Sequence, residues 1–101
     1  MIHVRVVDAQ GRPMEGLVAS VRNERTGRTL TVSDTDGGML TPGTYAVVTD
    51  NNVADVSEAG DRLLFRATGG GRTAEGVFVV ARDACSCHVD RREGPDEIVA
   101  R

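Results

Sequence analysis

Apolar and polar residues alternate from the start of the chain. Ile2, Val4 and Val6 fall on one side and His3 and Arg5 on the other, the period of two that a half-buried strand requires. Residues 2–8 therefore predict a strand. Asp8-Ala9-Gln10-Gly11-Arg12-Pro13 predicts the turn that ends it, because Gly11 accepts φ > 0 and Pro13 cannot donate to a ladder. A second strand is expected over 17–24, with Leu17, Ala19 and Val21 opposite Val18, Ser20 and Arg22. After Thr26-Gly27, a third strand would place Leu30 and Val32 inward and Thr29, Thr31 and Ser33 outward.

Asp34-Thr35-Asp36-Gly37-Gly38 predicts another turn, and Thr41-Pro42-Gly43-Thr44-Tyr45 opens a strand that runs to Thr49. The polar, acidic stretch 50–60 predicts a loop at one end of the molecule. Residues 62–68 and 73–81 read as a hairpin closed by Gly69-Gly70-Gly71, and strands over 84–91 and 97–100 follow, separated by Gly94-Pro95. Turn residues recurring about every 8 to 12 positions are the mark of an all-β sandwich or barrel. Nowhere do apolar residues keep a helical spacing for three turns. The expected fold is one domain over 1–101, an all-β antiparallel β-sandwich of seven or so strands.

Composition narrows the picture. Aromatic residues make up only 3% of the chain, so the core must be aliphatic, and the abundant Val and Thr suit a pleated sheet. A net charge of -3 offers no positive field for a phosphate backbone, which argues against a nucleic-acid partner. All 12 basic residues are Arg, so lysine Schiff-base and P-loop chemistry are excluded. No apolar run exceeds five residues, against roughly 20 for a membrane span. No secretion signal is read at Met1-Ile2-His3-Val4-Arg5, and the expectation is a soluble chain, cytoplasmic or trimmed from an exported protein.

Two patches carry a family resemblance. Val6-Val7-Asp8-Ala9-Gln10-Gly11-Arg12-Pro13 is followed by Asp36-Gly37-Gly38 and then Pro42-Gly43-Thr44-Tyr45-Ala46-Val47. This order resembles the carboxypeptidase regulatory-like (transthyretin-like) pattern of strand, turn, two strands, turn and a "PGtY" strand. Asp83-Ala84-Cys85-Ser86-Cys87-His88-Val89 with Gly94-Pro95-Asp96-Glu97-Ile98 looks like the closing hairpin of a subset of such domains. The resemblance implies an immunoglobulin-like or prealbumin-like sandwich serving as an accessory or interaction module. The related purine-pathway hydrolase carries a Tyr-Arg-Gly-Ser tail where this chain has Ile98-Val99-Ala100-Arg101. A small hydrolase is therefore only an alternative.

Candidate chemistry concentrates in Cys85-Ser86-Cys87-His88. Thiolates and imidazole suit Zn²⁺ and softer metals, so Cys85, Cys87 and His88 form the metal alternative. In an unbroken strand Cys85, Cys87 and Val89 would share the core face and Ser86 and His88 the other, which predicts buried free thiols instead. A Cys85–Cys87 disulfide and redox sensing are the other possibility. A Cys87–His88 nucleophile pair would have to leave the strand. Asp34-x-Asp36-Gly37 has the look of half a calcium loop, but Tyr45 stands where the bidentate Glu belongs. Gly69-Gly70-Gly71-Arg72 lacks the Lys of a phosphate cradle. His88, Asp90, Arg91 and Arg92 make the candidate contact patch.

The sequence thus predicts a non-catalytic interaction module with no cofactor. Its partner would be a protein or a second copy joined through edge strands. Carbohydrate is disfavoured because few aromatics can be spared for the surface.

Overall fold

Strand β1 (Ile2–Val7) forms where the alternation predicts it, with Ile2, Val4 and Val6 buried and His3 and Arg5 exposed. A computed structural model describes residues 2–32 and 41–101 of the chain. After β1 come β2 (Val18–Asn23), β3 (Thr44–Val48), β4 (Asp61–Gly69), β5 (Arg72–Arg82), β6 (Val89–Glu93) and β7 (Glu97–Val99). The turn expected at 34–38, with its calcium-loop letters, lies outside the described residues.

The strands make two sheets, of order β3-β1-β7 and β2-β4-β5-β6. The larger sheet is antiparallel throughout. The smaller one departs from the expectation: β1 is antiparallel to β3 but parallel to β7. β7 is reached from β6 of the other sheet, so no tight hairpin obliges it to run against β1. Val4, Val6 and Val47 of one sheet and Val21, Leu63, Phe65, Phe78 and Val80 of the other belong to one buried cluster. That is the arrangement of an all-β sandwich.

The scarce aromatics are all spent inside. Phe65 meets Phe78 edge-on with ring centroids 6.4 Å apart, and Tyr45 lies 6.5 Å from Phe65. The Tyr45 hydroxyl donates to the Met14 carbonyl at 2.6 Å and accepts from Leu17 N–H at 3.1 Å. One buried phenol thereby fixes the connection between β1 and β2. Nine residue pairs join β4 to β5, and Gly70 and Gly71 turn the hairpin at φ 58° and 75°. Two successive positive φ values match the natural twist of a hairpin and are open to glycine without strain.

Two expectations need correction. Among the described residues, the third strand reduces to a single bridge between Arg22 and Thr29, with Leu30 N–H bonded to Val21 O at 2.8 Å; Ser33 lies outside them. Leu30 is buried as expected, and Val32 is half-buried. The stretch 50–60 is more ordered than a loop, because a 3-10 helix spans Asp50–Asp55. Thr49 caps it: its side chain accepts from Asn51 N–H, while the buried Asn52 side chain returns a bond to Thr49 N–H at 3.1 Å.

Candidate functional site

The segment richest in chemistry connects β5 to β6. Arg82 still pairs with Val89, and Asp83 N–H bonds to His88 O at 3.1 Å. Between them the chain leaves the sheet. The Asp83 side chain captures the backbone, its Oδ1 accepting from Cys87 N–H at 2.8 Å and His88 N–H at 3.3 Å. Ser86 N–H bonds to Asp83 O at 3.0 Å, and Ser86 adopts a left-handed φ of 58°. An Asp that bonds its own following backbone competes directly with the ladder. Here it wins, and a turn replaces the strand.

The expected strand over 84–91 with buried thiols is corrected accordingly. Cys85 and Cys87 are exposed, only Val89 is buried, and β6 begins there. The two cysteines form a disulfide with Cα atoms 5.3 Å apart, closer than the roughly 6.6 Å of same-face strand residues two apart. No free cysteine remains among the described residues.

His88 points to a different partner. Its Nδ1 lies 3.1 Å from Asp50 Oδ2, and Asp50 Oδ1 accepts from Val89 N–H at 3.1 Å. Asp50 opens the 3-10 helix, so one carboxylate docks that helix against the start of β6. The hydrogen bond to Asp50 raises the His88 pKa above its ordinary value. The same contact, followed by the Val89 amide, holds Asp50 below the carboxylate range. Asp83 is also held low, chiefly by the Cys87 amide.

The metal alternative gains a donor that the sequence reading did not include. Asp83, Cys85 and Cys87 bring their ligand atoms within 4.8 Å of one another, while the His88 ring is directed to Asp50. Cys85 Sγ lies 3.5 Å from Asp83 Oδ1. The signal for Asp83 was an Asp opening a short polar segment, a turn former that the alternating letters after it disguised.

The contact patch is placed on an edge. Asp90, Arg91 and Arg92 are exposed along β6, the outer strand of the larger sheet, with His88 just before it. Arg91 is turned aside, its guanidinium donating to Asp96 at 2.6 Å. Beside that pair, a depression of about 270 Å³ is lined by Ile2, His3, Arg91 and Asp96. The charged residues that fill this edge strand oppose pairing with another sheet.

A second polar cluster is structural. Asp61 is buried and accepts from Arg25 Nε at 2.6 Å, Asn23 Nδ2 at 2.9 Å and both Ser57 donors at 2.9 and 3.0 Å. Burial pushes its pKa upward, and these hydrogen bonds outweigh it and hold the carboxyl far below the usual range. Ser57 O in turn accepts from Arg82 N–H at 3.2 Å, so the network braces the strand end that leads into the disulfide turn. Among the described residues no helix is long and apolar enough to cross a membrane. No family model, curated protein or solved structure matches the chain.

Proposed function

We propose that the chain is a non-catalytic β-sandwich module, resembling the carboxypeptidase regulatory-like kind, whose working feature is a thiol–disulfide-responsive turn at Cys85–Cys87. A protein partner meets it there, over His88, Asp90 and Arg92. The observation that carries this reading is the exposure of a disulfide that joins nothing distant. Both sulfurs sit in one turn at a sequence separation of 2. By the chain-entropy relation, closing so small a loop contributes less than about 2 kcal/mol, whereas bridges that hold small folds together span long loops. A bond that adds little stability and faces solvent is suited to making and breaking.

The scaffold supports this division of labour. Its core is formed without either cysteine, so the turn can change state above an unchanged sandwich. In thiol–disulfide exchange a partner thiolate attacks one sulfur and expels the other as thiolate. The mixed disulfide is then resolved by a second thiol, and two electrons pass to the turn.

The double variant Cys85→Ser/Cys87→Ser tests the reading by denaturant unfolding. We expect it to fold and to lie within about 2 kcal/mol of the oxidised parent. A loss beyond about 4 kcal/mol, or failure to fold, would make the disulfide a structural staple and remove the basis for the responsive turn.

A further inference from the structure

Breaking the Cys85–Cys87 bond leaves two separate sulfur donors beside a carboxylate. In a tetrahedral site with Zn–S near 2.3 Å and Zn–O near 2.1 Å, a sulfur and an oxygen ligand stand about 3.6 Å apart, and two sulfurs about 3.8 Å. Cys85 Sγ already lies 3.5 Å from Asp83 Oδ1, and all three donors fall within 4.8 Å of one another. The sulfurs need only part to about 3.8 Å, which rotation of two exposed side chains supplies. The loop does not have to move, because backbone bonds hold it: Ser86 N–H to Asp83 O at 3.0 Å and Asp83 N–H to His88 O at 3.1 Å. The amides of Cys87 and His88 bond to Asp83 Oδ1, which fixes the carboxylate beside the two sulfurs.

We propose that the reduced turn binds a borderline divalent ion, with Zn²⁺ as the type case, through Cys85 Sγ, Cys87 Sγ and an Asp83 carboxylate oxygen, and that the disulfide excludes it. The inference rests on the redox reading above and names the ligand of the reduced state. Two thiolates select against Ca²⁺ and Mg²⁺, which take oxygen ligands. Solvent completes the coordination, since the turn is exposed. The two states exclude one another by electron count. A dithiol reductant gives two electrons and two protons to the disulfide and is itself oxidised to a disulfide. Zn²⁺ then displaces the two thiol protons. In the reverse direction, hydrogen peroxide with two protons takes two electrons from the bound thiolates. That step yields the disulfide, two waters and free Zn²⁺.

The test is native mass spectrometry of the full chain with stoichiometric Zn²⁺, oxidised and phosphine-reduced, with Co²⁺ as a spectroscopic probe. We expect one Zn²⁺ per reduced chain, none on the oxidised chain or on Cys85→Ser/Cys87→Ser, and a thiolate-to-Co²⁺ charge-transfer band. Asp83→Asn keeps the amide acceptor but loses the charge, and should weaken Zn²⁺ by at least about 10-fold. His88→Ala should leave Zn²⁺ binding unchanged, because its ring is directed to Asp50. Zinc on the oxidised chain, or loss of zinc in His88→Ala but not in Asp83→Asn, overturns the donor set. Alkylation of the same samples separates the two ideas. Cysteines that cycle while the reduced chain stays metal-free refute only the metal site. Cysteines that never cycle refute the redox reading itself.

Discussion

Asp61→Ala is expected to lower the unfolding free energy by about 3 kcal/mol or more and the Tm by over about 10 °C for a domain of this size. The carboxylate is buried and takes hydrogen bonds from Arg25, Asn23 and Ser57. Alanine would leave the Ser57 amide and one arm of the fully buried Asn23 amide group without their acceptor. The Arg25 side chain is 55% exposed, so its share is reduced by solvent screening. The loss therefore comes mainly from the orphaned buried donors. It would spread, because Asn23 Oδ1 holds Arg25 N–H at 2.9 Å and thereby the turn after β2.

The same carboxylate sets an acid dependence with a definite sign. Its folded pKa is depressed, so its stabilisation is complete above the unfolded value near 3.9 and is lost as pH falls toward the folded one. The advantage of the parent over Asp61→Asn should narrow by about 1.4 kcal/mol per pH unit below about pH 4. Urea unfolding at pH 7 and pH 3 reads both effects. Variants within about 1 kcal/mol of the parent at pH 7, or a gap that widens in acid, would contradict the role given to Asp61.

Gly94→Ala carries the other large effect. Gly94 joins β6 to the turn before β7 at φ 145°, a region that L side chains rarely adopt. A Cβ there would overlap the Phe78 ring, with Cε2 at 3.0 Å and Cγ at 3.1 Å. Phe78 is fully buried between the sheets, so the ring has nowhere to retreat. Backbone strain and overpacking together should cost about 3 kcal/mol or more. The smaller Phe78→Leu should recover part of that loss in the double variant, a coupling that a double-mutant cycle measures. Additive losses would show that the ring is not the obstacle.

What the letters revealed and what they hid divides on physical grounds. Alternation marked β1 and β4 because one face of each is buried and the other wet, whereas in β2 only Val21 and Asn23 are buried and Ala19, expected inward, is exposed. It misled at 84–91, where the same period of two is present but Asp83 bonds the following amides and breaks the strand. Thr29 to Val32 alternate as well, yet among the described residues a single bridge, Arg22 to Thr29, forms beside β2. The Asp50–His88 contact joins residues 38 apart in sequence. So does the bond from Asn23 to Asp61. No local spacing announces such pairs. Asp83, Cys85 and Cys87, by contrast, are neighbours in sequence, and an Asp that opens a turn is the local signal that joins them.

If the proposed function holds, Cys85 and Cys87 change state on a sandwich that does not. The direct measurement equilibrates the intact protein across a ladder of reduced and oxidised dithiothreitol. Alkylated intact mass gives the dithiol fraction, and far-UV circular dichroism follows the fold in the same samples. One reversible two-electron transition within each chain is expected, with the β spectrum unchanged from end to end. Loss of the β spectrum in step with reduction, or disulfides formed only between chains, would contradict it.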